Sequence, residues 1–318
     1  MMTDMSTSAI SVSGLRKAYG DKVVLGGIDL DVPAGTVFSL LGPNGAGKTT
    51  TVNVLTTLLK ADGGTARVAG HDVATEAKAV RALIGVTGQF AAVDELLTGQ
   101  ENLQLMADLK HMGAREGKRV ITELLERFDL AESAQKLVST YSGGMRRKLD
   151  LAMTLVGSPR IIFLDEPTTG LDPRSRRTMW DIVRGLVADG VTIFLTTQYL
   201  DEADQLADRI AVLDQGRVVA EGTPGELKRQ VPGSHVRLRF ADSAALQAAA
   251  RVLAGSTADD AALTLRVPSD GGLKSVRGLL DRLDEYSIDA EEFSVHTPDL
   301  DDVFLALTGH ASTEVTAK

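Results

Sequence analysis

One glycine-rich segment at residues 42–50, GPNGAGKTT, constrains the fold of this 318-residue chain more than any other. It fits the pattern G-x-x-x-x-G-K-[ST], which requires a strand before it and a helix after it. The apolar run TVFSLLG precedes it, so a strand–loop–helix unit is predicted. We expect Gly42, Gly45 and Gly47 to turn backbone N–H groups towards a phosphate. Lys48 would bind the β- and γ-phosphates, and the Thr49 hydroxyl would bind Mg²⁺.

Composition excludes several other kinds of protein. The formal net charge of −9 disfavours nucleic acid as a partner. The chain has no cysteine, which excludes disulfides and thiolate metal sites. Its N-terminus lacks the pattern of a signal peptide, and no apolar run approaches the roughly 20 residues that span a bilayer. We therefore expect a cytoplasmic protein whose membrane role, if any, depends on a separate partner.

The order of elements predicts an α/β fold. Strands alternate with helices from about residue 10 to 223, which indicates a mostly parallel sheet. Residues 91–157 show successive helical patterns, which predict an inserted helical subdomain that starts at a capping box of Thr98 and Glu101. The predicted organisation is a disordered N-terminus at 1–9, a nucleotide-binding domain at 10–223, a Gly- and Pro-rich linker at 224–234, a small α+β domain at 235–310 and a tail at 311–318.

A second motif, IIFLDEP, places Asp165 and Glu166 at the end of an apolar strand. Two adjacent carboxylates beside a phosphate site repel each other unless a cation neutralises one of them. We predict that Asp165 binds Mg²⁺ and that Glu166 polarises the attacking water. Without the phosphate loop, two solvated acids at a strand end would explain the motif equally well.

A third motif, YSGGMRRKLDLAMTL, indicates a second anion site. Ser142, Gly143 and Gly144 open a helix, and such a start offers backbone N–H groups and a hydroxyl. One nucleotide does not need two separate helix starts. The simplest use of the second is on the nucleotide of another copy, across a homodimer.

In this order and spacing, the motifs resemble the ATP-binding cassette family over about residues 10–223. The resemblance implies a P-loop NTPase core with an antiparallel β subdomain, and ATP hydrolysis by a dimer that drives a separate multi-span permease. It also implies that Tyr19 stacks on adenine, that Gln89 joins core to helical subdomain and contacts Mg²⁺, and that Asp172 in GLDP couples the two sites. Asn44 and Thr50 complete the nucleotide loop.

Longer patterns narrow the resemblance further. PTTGLDPRSRRTMWDIVRGL and the terminal DLDDVFLALTGH are similar to the ATP-binding subunits of daunorubicin/doxorubicin-resistance exporters. This resemblance implies export of a hydrophobic antibiotic or drug. Two alternatives are a non-transport relative that acts on DNA or ribosomes, and a drug-sequestering protein whose cassette is regulatory. The former class typically carries a long coiled-coil insertion or two cassettes, and this chain has neither.

Gln198, in VTIFLTTQYLDEADQLADRI, allows two interpretations. It is either a helix-start residue that meets water or a residue that faces a ligand. Most relatives carry a histidine here that contacts the γ-phosphate, so the resemblance favours the ligand. An amide can donate one hydrogen bond to a phosphate oxygen, but it cannot become cationic. The signature departs from the family too, because Met145 replaces the usual glutamine.

Two charged or apolar clusters remain open. Arg146, Arg147 and Lys148 crowd a helix start, and the main interpretation is a solvated basic face; contact with nucleotide or partner is the alternative. The last helix carries an apolar stripe that we expect to pack within the small domain, although docking on a second protomer or a membrane partner is also considered. The stripe consists of Leu300, Val303, Phe304 and Leu307.

Overall fold

The computed structural model describes residues 8–89, 91–230, 234–270, 272–296 and 298–309. The chain divides into two compact units between Pro224 and Gly225. In the first unit the strands are β1 (Ser8–Tyr19), β2 (Lys22–Pro33), β3 (Val37–Leu41), β4 (Gly63–Val68), β5 (His71–Asp72), β6 (Ile84–Thr87), β7 (Ile161–Asp165), β8 (Thr192–Thr197), β9 (Arg209–Asp214) and β10 (Arg217–Gly222). Because β1 begins at Ser8, residues 8 and 9 belong to a strand and not to the predicted disordered segment at 1–9, whose residues 1–7 lie outside the described residues.

A six-stranded sheet of order β10-β9-β3-β8-β7-β6 forms the centre of the first unit. Its strands run parallel except for β10, which pairs antiparallel with β9. Strands β3, β7 and β8 are buried along their whole length, as expected for strands covered on both faces. Phe194 stacks on Phe38 and packs against Phe163 across the three strands. The prediction of a mostly parallel sheet is confirmed.

A second sheet, of order β2-β1-β4-β5, is antiparallel and confirms the predicted β subdomain. It shares a hydrophobic cluster with β3 and with the first helix, in which Ile10, Leu25 and Val52 are fully or almost fully buried. This packing fixes the β subdomain beside the loop that follows β3.

The helices of the first unit are α1 (Lys48–Leu55), α2 (Ala77–Leu83), α3 (Gly99–Leu109), α4 (Ala114–Arg127), α5 (Gly143–Leu155), α6 (Pro173–Ala188) and α7 (Leu200–Leu206). Two short 3₁₀ turns lie between α4 and α5, and no described residue from 91 to 157 belongs to a strand. The capping box of Thr98 and Glu101 is formed at the start of α3. Helices α3, α4 and α5 share a second hydrophobic cluster with β7 and α6.

The second unit holds a four-stranded antiparallel sheet of order β12-β13-β11-β14. Its elements are α8 (Pro224–Gln230), β11 (His235–Arg239), α9 (Ser243–Val252), β12 (Thr257–Asp259), β13 (Thr264–Pro268), α10 (Leu273–Glu285), β14 (Glu292–His296) and α11 (Leu300–Thr308). The boundary between the two units lies within the predicted linker at 224–234, whose residues 224–230 form a helix because proline is tolerated at the first position of a helix.

Helix α11 begins with a capping box formed by Asp299 and Asp302. Leu300, Val303 and Phe304 of its apolar stripe are buried within the chain. Docking of these three side chains on another protein is therefore not supported. The predicted tail at 311–318 lies outside the described residues. Among the described helices, none combines the length and the apolar character needed to cross a membrane.

Candidate nucleotide site

The loop between β3 and α1 has the backbone shape that its glycines predict. Gly45 and Gly47 have positive φ values of 82° and 112°, which side chains other than hydrogen rarely allow. A Cβ on Gly42 would lie 2.3 Å from the carbonyl oxygen of Leu213, so only glycine fits there. The N–H of Gly42 donates to the carbonyl of Thr197, 3.2 Å away. The start of the loop is therefore held beside the end of β8.

Lys48 is buried at the start of α1, where its ammonium group lies inside the loop. Its Nζ donates to the carbonyls of Gly42 (2.7 Å) and Pro43 (3.1 Å) and lies 3.4 Å from Oε1 of Glu166. Burial lowers the pKa of Lys48, and the nearby Glu166 carboxylate opposes that shift. A cation thus stands next to one member of the acidic pair, as the sequence argument required.

Thr49 and Asp165 meet although they are 116 positions apart in the sequence. The Thr49 hydroxyl donates to Oδ2 of Asp165 at 3.0 Å, and Oδ1 of Asp165 accepts from the Thr196 hydroxyl. A hydroxyl and a carboxylate are hard oxygen donors of the kind that Mg²⁺ prefers. The described residues contain no group of three acidic or histidine side chains that could hold a metal by themselves. The pair fits a Mg²⁺ ion that completes its shell with phosphate and water oxygens.

Glu166 occupies an uncommon backbone conformation directly after β7. Its φ is 50°, and its N–H donates to the carbonyl of Thr196 at 3.0 Å. Its side chain is buried and accepts a 3.4 Å hydrogen bond from the Thr169 hydroxyl. The turn directs the carboxylate towards Lys48 instead of continuing the strand. Strained residues of this type concentrate at functional sites, which agrees with the predicted catalytic role.

The remaining predicted nucleotide contacts have less support from hydrogen bonds. Gln198 follows β8 directly and is half-buried; the next residue, Tyr199, caps α7. Gln198 is therefore not the helix-start residue, and its roles as solvent-facing or ligand-facing residue stay predictions. Tyr19 ends β1 with 51% of its surface exposed, as a stacking platform requires. Gln89 is exposed two residues after β6 ends, while Asn44 is exposed and Thr50 half-buried.

The turn that the sequence predicts to be a second anion site begins α5. Ser142 caps the helix and accepts a 3.3 Å hydrogen bond from the N–H of Met145. Gly143 is exposed, whereas Gly144 packs against α6, where a Cβ would lie 2.7 Å from Oγ of Ser175. Within the described part of the chain, no hydrogen bond joins this turn to the phosphate loop.

The coupling loop lies next to that turn. The carboxylate of Asp172 caps α6 and accepts from the N–H groups of Arg174 and Ser175 and from the Ser175 hydroxyl at 2.6 Å. These hydrogen bonds, above all the one from the Ser175 hydroxyl, lower the pKa of Asp172. Ser175 therefore contacts both predicted partner-facing elements, the Ser142 turn and the Asp172 loop.

The basic cluster on α5 does not form a uniform solvated face. Arg146 is half-buried and bonds Glu95 at 2.9 Å, and Lys148 lies 3.5 Å from the exposed Asp129. Arg147 is buried instead, with 6% of its surface exposed, and it bonds Asp150 at 3.2 Å. The interpretation as a solvated basic face is wrong for Arg147, because a buried carboxylate one helical turn away provides a countercharge.

A further buried acid, Glu202 on α7, was not identified from the sequence. Its Oε1 accepts from the indole N–H of Trp180 on α6 at 3.3 Å. Burial raises its pKa, and the hydroxyls of Thr197 and Thr168 and the indole oppose the shift. The sequence signal that could have indicated its burial is its spacing to Leu206. Residues four apart share one helix face, and Leu206 is apolar. Glu202 thus links α6 to the end of β8, next to Gln198.

Comparisons with known proteins agree with this geometry. A family model described as ABC transporter matches residues 25–169. The chain is 52% identical to the daunorubicin resistance ATP-binding protein DrrA3 of Streptomyces coeruleorubidus over 96% of this chain and 97% of that one. It is 51% identical to the daunorubicin/doxorubicin resistance ATP-binding protein DrrA of Streptomyces peucetius, over 97% and 95% of the two chains. It is 38% identical to the Nod factor export ATP-binding protein I of Burkholderia orbicola, over 96% and 98%.

Solved structures give the same result for the first unit. An ATP-binding subunit of an ABC transporter aligns with a TM-score of 0.63 and 28% identity, over 70% of this chain and 93% of that one. A dimeric ATP-binding cassette in a post-hydrolysis state, bound to ADP and phosphate, aligns with a TM-score of 0.62 and 26% identity, over 67% and 98%.

Proposed function

Because this chain belongs to the ATP-binding subunits of ABC transporters, we propose that it is the ATPase of an exporter that works as a homodimer. Two copies enclose two Mg-ATP, and closure with ATP followed by opening after hydrolysis drives a separate multi-span membrane permease. The subunit lies at the cytoplasmic face of the membrane through that permease. The relatives whose names refer to drug resistance and export support this role.

The observation that carries the proposal is the cluster of Lys48, Thr49, Asp165 and Glu166 at the ends of β3 and β7, in which the lysine and both carboxylates are buried. A cation, a hydroxyl and two carboxylates converge there on a loop whose backbone suits a phosphate. Burial strengthens the electrostatic interactions of these groups, because the local dielectric constant is lower than that of water. A solvated acidic pair at a strand end would not be buried beside a lysine.

Each side chain then has a distinct task in hydrolysis. Lys48 holds the β- and γ-phosphates, and its hydrogen bonds to Gly42 and Pro43 orient it within the loop. Glu166 accepts a proton from the attacking water, and the turn that follows β7 directs its carboxylate inward. Gln198 donates a hydrogen bond to the γ-phosphate. Tyr19 stacks on adenine.

A bound Mg²⁺ ion neutralises phosphate charge, and Thr49, Asp165 and Gln89 are the side chains that would hold it. Ser142, Gly143 and Gly144 bind the nucleotide held by the other protomer, with Asp172 placed beside them through Ser175. Each site therefore needs residues of both copies, which links dimer closure to hydrolysis.

The transported compound is a hydrophobic antibiotic or a similar drug. The support is the identity of 43% or more, over nearly whole chains, with proteins named for daunorubicin or doxorubicin resistance. Cells that produce this chain with its permease should extrude daunorubicin, and Lys48→Ala should abolish extrusion. Tight drug binding by the purified subunit alone, with no extrusion by the pair, would instead support a sequestering protein.

The substitution Glu166→Gln tests the chemical assignment. It should preserve ATP binding, lower hydrolysis by about 10²- to 10⁴-fold, and trap an ATP-bound dimer, because the positioned base is lost. Steady-state ATPase rates and size-exclusion chromatography with ATP provide the measurements. Glu123→Gln, at an exposed i,i+4 pair on α4, is the matched control. Hydrolysis by Glu166→Gln at the rate of the control would refute the role of Glu166.

A further inference from the structure

Arg147 connects three parts of the first unit that the sequence keeps apart. From α5, its Nε donates to the carbonyl of Pro167 at 2.9 Å, and its Nη2 to the carbonyl of Asp165 at 3.3 Å. Its Nη1 donates to the carbonyl of Gly88 at 2.7 Å. Asp165, the last residue of β7, and Pro167 flank Glu166, and Gly88 precedes Gln89. One buried guanidinium therefore holds the backbone on both sides of the predicted base and next to a predicted Mg²⁺ ligand.

Asp150 completes this arrangement from the next turn of α5. Its Oδ2 accepts from Nη1 of Arg147 at 3.2 Å, and its Oδ1 accepts from the N–H of Ala92 at 3.0 Å. Burial lowers the pKa of Arg147 and raises that of Asp150, and the charge of each opposes the shift of the other. The pair thus makes two hydrogen bonds to the segment that contains Gln89. One is to the carbonyl of Gly88 and the other is from the N–H of Ala92.

We propose that Arg147 and Asp150 form a clamp that positions Gln89 relative to Asp165 and Glu166, and that it does so from the helix that carries the Ser142 turn. Displacement of α5 then displaces Gln89 with it. The position of α5 therefore determines both the placement of the Ser142 turn and the placement of Gln89 beside Asp165. This inference rests on the proposed function, because that function assigns Mg²⁺ to Asp165 and Gln89.

Arginine suits this position for a geometric reason. Its guanidinium presents five donors in a rigid planar fork, and here four acceptors in different directions use them. Lysine offers one ammonium on a flexible stem and cannot reach three separate carbonyls at once. Arg147→Lys therefore keeps the charge and removes the fork, whereas Asp150→Asn removes the countercharge and replaces the charge-assisted hydrogen bond from Ala92 by a weaker neutral one.

Hydrogen exchange on the full-length chain tests the clamp without reference to catalysis. The N–H of Ala92 belongs to an exposed residue, and its hydrogen bond to Asp150 is what we expect to protect it. Arg147→Lys and Asp150→Asn should accelerate exchange in peptides that contain residues 88–92, but not in α4. The control, Arg277→Lys, alters an exposed ion pair with Asp281 in the second unit and should change neither region. Unchanged exchange in residues 88–92 in both clamp variants would overturn the proposal.

Metal affinity tests the positioning role, with Mn²⁺ as the probe. In a Glu166→Gln background with ATP, Mn²⁺ binding measured by electron paramagnetic resonance should weaken about 10- to 100-fold in Arg147→Lys. ATP affinity in EDTA should stay unchanged. If Asp165→Asn weakens Mn²⁺ binding but both clamp variants have the same Mn²⁺ affinity as the Glu166→Gln protein, the clamp has no positioning role. If Asp165→Asn also has no effect, the metal assignment of the proposed function is wrong, and hydrogen exchange alone decides on the clamp. Asp150→Asn provides both readouts if Arg147→Lys does not fold.

Discussion

Gly143 and Gly144 are adjacent, yet the structure predicts opposite consequences for replacing each by alanine. A Cβ at Gly144 would lie 2.7 Å from Oγ and 3.1 Å from Cβ of Ser175, so α5 and α6 must separate or Ser175 must rotate. Rotation would break the 2.6 Å hydrogen bond from Ser175 to Asp172. A Cβ at Gly143 would meet nothing within 4 Å. Gly144 is thus needed for packing, whereas the space around Gly143 is open, as its proposed role at the partner's nucleotide requires.

The magnitudes follow from these contacts. Overpacking costs about 1–3 kcal/mol, and a lost hydrogen bond of the Ser175 type costs about 1 kcal/mol. Gly144→Ala should therefore lower the free energy of unfolding by about 1–3 kcal/mol, which is about 2–12 °C in Tm for a domain of this size. Gly143→Ala should leave Tm unchanged or raise it slightly, since alanine favours a helix over glycine by up to about 1 kcal/mol. Its ATPase rate should nevertheless fall at least tenfold, because the added methyl group blocks approach of a phosphate to the backbone.

Thermal unfolding and ATPase assays at dimer-forming concentrations separate the two effects. Ser175→Gly combined with Gly144→Ala removes both close contacts and should recover much of the lost stability. A Gly143→Ala variant with the parent's Tm and the parent's ATPase rate would refute the assignment of this turn to the partner's nucleotide. Equal Tm values for Gly144→Ala and Gly143→Ala would refute the packing argument.

Three further perturbations test other residues. Gln198→Ala should lower the ATPase rate by about 10- to 150-fold, the effect of losing one charge-assisted hydrogen bond, and leave ADP affinity unchanged. Equal ATPase rates for the parent and Gln198→Ala, with the permease present, would show that Gln198 faces solvent instead of the γ-phosphate. Mixing a Ser142→Ala variant with a Lys48→Ala variant should restore activity in heterodimers, and purified heterodimers without activity would contradict a shared site. Because burial raises the pKa of Glu202, this group ionises at lower pH in the unfolded state than in the folded state. The free energy of unfolding of the parent should therefore fall by up to about 1.4 kcal/mol per pH unit between the ordinary and the raised pKa. Glu202→Gln should abolish that part of the pH dependence, which denaturation at several pH values would measure.

Local chemistry explains what the sequence could predict. The phosphate loop needs glycine at defined positions, so the sequence GPNGAGKTT predicts the backbone conformation of the loop. The apolar runs before Gly42 and Glu166 predict buried strands. The burial of Arg147 and Glu202 was not predicted, because it depends on neighbours that are distant in the sequence. Arg147 is buried by carbonyls that lie 18 to 59 positions away. A run of basic or acidic residues does not reveal which of its members points inward.

Helix boundaries near glycine and proline show the same limit. The segment at 224–230 contains both residues and is nevertheless helical, because its proline occupies the first turn, where no backbone donor is needed. The strand Thr257–Asp259 has three exposed residues and no alternation of polar and apolar side chains, so its pairing with β13 provides the only signal. Both elements are defined by tertiary structure more than by composition.

The hydrogen bond between Trp180 and Glu202 gives the protein an intrinsic spectroscopic reporter. Trp180 is the only tryptophan of the chain, so selective excitation of its indole yields emission from a single place between α6 and α7. Indole emission depends on the charge and hydrogen bonding around the ring, and its partner is a carboxyl group near the end of β8. Rearrangement of α7 relative to α6 during nucleotide turnover can therefore be followed in real time in the unlabelled parent protein.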